Sequence, residues 1–131
     1  MRIVLDARWI GATPSGIGVY AVELIRRLPA LEPDWQFHLL FDDDALRERV
    51  WAQCGLADIE RVSAETLPYG LFSIEGQIRL PRRLRQLRAN LFHSPNYMIP
   101  YRAFPAGVAG RGAMRCVTTI HDVIPLLLRD H

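Results

Sequence analysis

The sequence predicts an α/β fold, a parallel sheet with helices on both faces. Three observations predict it. Short apolar runs alternate with stretches whose apolar residues recur at every third or fourth position, the pattern of strands alternating with helices. Half of the 131 residues are apolar and 23% are charged, enough apolar material for a buried core and too little charge for a disordered chain. The length suits one domain.

Ile3-Val4-Leu5 reads as a buried strand stopped by Asp6. A polar, Gly- and Pro-bearing segment follows over residues 7–15. Ile17, Tyr20, Ala21, Leu24, Ile25 and Leu28 then form a helical stripe, with Ser15 placed to cap it and Pro29 to end it. Residues 35–41 read as the second strand. Asp42-Asp43-Asp44 suits the positive end of the next helix, over residues 45–54, and Gly55 its stop. Residues 58–62 are the expected third strand. A helical turn or two is expected over 71–77, with a new helix starting at Pro81, because inside a helix proline removes a donor and clashes. Residues 91–93 read as the fourth strand. A long loop over 94–115, with three Pro and three Gly, leads to the fifth strand at 116–120. His121-Asp122 halts that strand. No helix is expected to cover it, and Pro125 to Leu128 form an apolar tail without an evident partner, so the domain reads as unfinished at its C-terminus.

Charge and cysteine content exclude several functions. Sixteen basic residues, all arginine, against fourteen acidic give a net charge of +2, which is not that of a nucleic-acid binder. Cys54 and Cys116 are far apart with no CxxC, which argues against a disulfide scaffold or zinc site and fits a reducing compartment. No apolar run approaches a membrane span and the N-terminus does not read as a signal peptide, so a cytoplasmic location is expected. The arginines between Arg79 and Arg88 read as the solvated face of a helix that is also compatible with an anionic membrane surface. There is no nucleophile elbow and no P-loop.

In an open parallel sheet, ligands bind outside the carboxyl ends of the strands. The expected strands bring Asp6, Asp42, His93 and His121-Asp122 to that edge, together with the Gly16-Ile17-Gly18 turn that opens the first helix. Glycines let a ligand approach the backbone closely, and a helix N-terminus offers unpaired N–H groups to an anion. His121 is placed to bond a substrate hydroxyl or carry a proton near neutral pH, with Asp122 to orient it. His93 and Asp6 are further candidates. No short ligand spacing points to a metal. Gly16 to Ala21 also fits GxGxxA with Asp42 as a ribose-binding acid, so an NAD(P)-binding domain competes. Against it, nine residues separate Asp6 from Gly16, where that fingerprint places its first glycine almost directly after the strand.

Three segments resemble glycosyltransferase family 4, in the family's order. They are the strand ending Asp6-Ala7-Arg8 followed by Ser15-Gly16-Ile17-Gly18-Val19-Tyr20; then Leu91-Phe92-His93-Ser94-Pro95-Asn96-Tyr97; then Thr118-Thr119-Ile120-His121-Asp122-Val123-Ile124-Pro125. The resemblance implies the acceptor-side, N-terminal half of a GT-B fold, in which two Rossmann-like domains face across a cleft. It implies sugar transfer from a nucleotide-diphosphate donor to a saccharide or lipid-linked acceptor, with retention and without a metal. In that reading Gly16 and Gly18 approach the donor diphosphate and sugar, His121 lines the sugar site, Asp122 supports it and His93 faces the cleft. The family's second domain, with its paired-glutamate signature, has no counterpart within these residues, and Glu23 does not replace it. The chain is therefore expected to need a C-terminal GT-B domain, in cis or in trans, and to turn over little alone. A non-catalytic fragment or interaction module built on the apolar tail is the remaining alternative.

Overall fold

The computed structural model describes residues 1–105 and 112–122. The element order is β1 (Arg2–Asp6), α1 (Gly16–Leu31), β2 (Gln36–Phe41), α2 (Asp44–Gln53), β3 (Val62–Thr66), α3 (Ile74–Gln86), β4 (Leu91–Ser94) and β5 (Arg115–Thr118), with single 3-10 turns at Ala7–Trp9 and Tyr101–Ala103. The five strands form one parallel sheet in the order β3-β2-β1-β4-β5. This is the doubly wound order of a Rossmann-like sheet and is consistent with the N-terminal half of a GT-B fold. The apolar tail at 125–128 lies outside the described residues.

Alternation along the strands divides the core in two. Ile3, Leu5, Phe37, Leu39, Phe41 and Val62 face one side of the sheet, with Ala21, Val22 and Ile25 of α1 and Val50 of α2. Val4, Leu40 and Phe92 face the other, packed with Leu80 and Leu84 of α3. Helices thus cover both faces. Each helix begins on a side-chain cap: Ser15, Asp43 and Ser73 accept from the backbone N–H of Gly18, Leu46 and Gly76, respectively.

Four boundaries differ from the sequence expectation. The fifth strand is Arg115–Thr118 rather than 116–120, so it ends before Thr119 and not at His121-Asp122. Pro29 does not end α1. It is buried inside the last turn, and Glu32 N still donates to Leu28 O at 3.0 Å. Pro81 does not start a helix either, since α3 runs through it without a break. Pro81 is buried beside Leu80 and Leu84, and the lost hydrogen bond is outweighed by its place in the core. The third strand is Val62–Thr66 rather than 58–62. Only Val62 and Ala64 face the α1 core. The other face carries Ser63 and Glu65, held by His38 and Arg83, so the strand is too polar to announce itself.

Candidate functional site

From β1 the chain winds outward through β2 and β3, then returns to place β4 on the opposite side of β1. The carboxyl ends of β1 and β4 are therefore the switch point of the sheet, where open α/β sheets bind ligands, and the segments that leave them meet at Trp9. The segment after β3 and the residues after β5 reach the same edge.

Asp6 ends β1 with 1% of its surface exposed. Both its oxygens are taken by Arg8, at 2.8 Å from Nε and 2.7 Å from Nη2. Burial opposes the charge on Arg8, but the hydrogen bonds and charge of Asp6 outweigh it and hold the guanidinium pKa above its ordinary value. Asp42, at the end of β2, is exposed to solvent on one side, and partial burial raises its pKa despite the nearby charge of Arg8.

The two glycines of the α1 turn have different surroundings. Gly18 is buried, and its N–H is taken by the Ser15 hydroxyl at 3.0 Å. A Cβ there would stand 3.2 Å from Ser15 Oγ and 3.7 Å from the backbone at Trp9 and Ile10, so internal packing alone accounts for this glycine. Gly16 is exposed and a Cβ there would meet nothing within 4 Å. Its N–H and that of Ile17 have no acceptor among the described residues, while Val19 N donates to Ser15 O. A cavity of about 360 Å³ opens beside this turn, between residues 10–15, α1 and α2. Neither His93 nor His121 lines it.

The histidines gather around the segments after β4 and β5. His121 Nε2 lies 2.8 Å from Pro95 O. A carbonyl only accepts, so Nε2 carries the proton, and in the neutral ring Nδ1 is left as an acceptor. The ring meets Tyr20 of α1 edge-on, centroids 5.1 Å apart. Tyr20 Oη lies 3.1 Å from Thr119 Oγ1, which is 3.4 Å from His93 Nε2. Burial lowers the pKa of His93, favouring the uncharged ring at neutral pH. Asp122 is exposed beside His121. The structure thus brings His93, His121 and the N-terminal half of α1 together through Tyr20 and Thr119, two residues that sequence reasoning did not single out. It commits Asp6 to Arg8. Among the described residues, no three His, Cys, Asp or Glu side chains could hold a metal ion.

An aromatic cluster also went unread in the sequence. Trp9 stands edge-on to Phe72 and Tyr97, with centroid separations of 5.7 and 5.8 Å. Its only visible signal was that each ring lies in a segment following a strand.

The family model Glycosyltransferase Family 4 matches residues 14–131. Comparison with curated proteins and with solved structures found no match.

Proposed function

The chain belongs to glycosyltransferase family 4, and from that premise we propose that its carboxyl edge is the acceptor-side half of a site that transfers a sugar from a nucleotide-diphosphate donor with retention. One observation supports this reading above the others. Gly16 presents unobstructed backbone with free N–H groups on the edge to which His93 and His121 are also brought.

Transfer breaks the bond between the anomeric carbon and a diphosphate oxygen, and the acceptor oxygen bonds to that carbon. Negative charge develops on the leaving diphosphate. The N–H groups of Gly16 and Ile17, at the positive end of the 16-residue α1, stabilise an anion placed there. Tethered by Nε2 to Pro95 O, the His121 ring offers Nδ1 to a sugar hydroxyl and fixes the sugar's orientation. Asp122 supports that position. His93, kept neutral by burial, lines the cleft behind Thr119. The acceptor's proton passes to the departing phosphate oxygen in a front-side displacement, so no separate base is assigned. The acceptor is a saccharide or lipid-linked saccharide, met in the cytoplasm or at the inner face of the membrane. Among the described residues no helix is long and apolar enough to cross a membrane, but α3 exposes Arg79, Arg82 and Arg85 for peripheral contact. In this reading a C-terminal GT-B domain, in cis or in trans, holds most of the nucleotide.

The test is transfer, or donor hydrolysis, by the full-length protein with a panel of UDP- and GDP-sugars. His121→Ala and Gly16→Val are each expected to lower the rate about 100-fold while leaving the melting temperature within a few degrees, because both residues are exposed. Undiminished turnover in both variants overturns the reading.

A further inference from the structure

Three segments that each follow a strand meet at Trp9. Trp9 itself follows β1, Phe72 lies between β3 and α3, and Tyr97 follows β4. Trp9 is held from behind: its indole N–H donates to Ser94 Oγ at 3.2 Å, and the fully buried Ser94 hydroxyl donates to Met98 O at 2.7 Å. The buried Asn96 accepts from Tyr97 N at 2.9 Å through Oδ1, and the Thr118 hydroxyl binds Asn96 O, so the backbone beneath the Tyr97 ring is fixed as well. Phe72 and Tyr97 nevertheless remain 63% and 57% exposed. Two large rings on a rigid base, open to water, form a surface prepared for a ligand rather than a piece of the core.

The chemistry around the rings narrows that ligand. Residues 67–73 and 95–100 contain no charged side chain, and in 7–15 the single charge is Arg8, buried against Asp6. These segments themselves offer no counter-charge to a phosphate, a nucleic acid or an anionic headgroup, and the cation packed on one of them, Arg79 over the Tyr69 ring, is paired with Glu75. A pyranose ring fits. Its axial C–H groups make an apolar face that packs on the electron-rich face of an aromatic ring, and the hydroxyl of the exposed Tyr97 is a hydrogen-bonding group for its rim. Position narrows it further. Pro95, whose carbonyl holds His121, is two residues from Tyr97, at most about 7 Å of extended backbone. The aromatic cluster and the carbonyl that tethers His121 therefore share the segment that follows β4.

We propose that Trp9, Phe72 and Tyr97 form a platform for a pyranose ring of an uncharged saccharide. Its identification with the acceptor rests on the transfer reading above; the binding itself does not. The platform selects for a neutral sugar face and excludes acceptors charged at that ring.

The test is saturation-transfer NMR on the full-length protein without nucleotide, irradiating aromatic protons and titrating maltotriose, cellotriose and a linear mannotriose. At least one is expected to bind in the millimolar range, with saturation reaching its ring C–H protons. Phe72→Ala and Tyr97→Ala should each weaken binding about three- to tenfold without altering the melting temperature. The proposal is overturned if no trisaccharide binds, if binding ignores both substitutions, or if the two variants instead lose binding to phosphatidylcholine vesicles. The readings separate cleanly. Saccharide binding without His121-dependent donor turnover leaves the platform and removes the transfer reading. Turnover without saccharide binding does the reverse.

Discussion

Asp6 and Arg8 are two positions apart, and neither side chain is more than 3% exposed. Each charge is tolerable in the interior because the other is there, and Arg8 Nη1 has no partner even so. Asp6→Ala should therefore cost about 3–5 kcal/mol, because it strands a buried guanidinium. The double substitution with Arg8→Met should recover most of that loss. Urea denaturation of the four species checks it, and a single-variant cost below about 1 kcal/mol contradicts the account. The sequence showed Asp6 at a strand end but not its partner. An acidic residue at the carboxyl edge is equally suited to a ligand or to a neighbouring arginine, and only the turn at Ala7–Trp9 brings the Arg8 guanidinium back onto it. The glycines divide in the same way. Spacing marks Gly16 and Gly18 as equivalent, whereas one meets open space and the other its own cap and the backbone of the preceding segment.

Among the elements, β1, the stripe of α1 and β2 were legible from their apolar patterns, and α2, which buries only Val50, from the aspartates at its start. The failures have a common physical origin. Pro29 and Pro81 were read as boundaries because their local cost was counted without the burial that offsets it. Leu80, Pro81 and Leu84 lie on the covered face of α3, and the helix survives on tertiary packing. β3 was shifted because one face is polar, and that polarity is satisfied only by residues distant in sequence, His38 and Arg83. α3 begins on Ser73, whose hydroxyl accepts from Gly76 N at 3.0 Å. Since the helix also contains a proline, its first turn depends heavily on that cap. Ser73→Ala should cost about 1 kcal/mol, read as a lower urea midpoint with an unchanged slope. The aromatic cluster and the Tyr20–Thr119–His93 contacts join residues from separate loops, a kind of information that periodicity does not carry.

At the scale of the whole molecule, β1 is paired along both edges and its interior residues are at most 4% exposed, whereas among the described residues β5 is bonded only to β4, with Val117 43% exposed. Stability should be graded accordingly. Amide exchange at Val4 and Leu5 is expected to require global unfolding, while Val117 and Thr118 exchange through local opening and much faster. Equal protection in both strands contradicts this. The central position of β1 also bears on how the chain is made. Arg2 bonds Gln36, 34 residues on, and Asn90, 88 residues on. Closing the longer loop costs only about 0.8 kcal/mol more in chain entropy, so the delay is one of synthesis rather than of thermodynamics. During synthesis β1 gains its second neighbour only after β4 has emerged. Until then one edge of the innermost strand is an open template, and the nascent chain depends on being shielded until its own residues 91–94 arrive to close it.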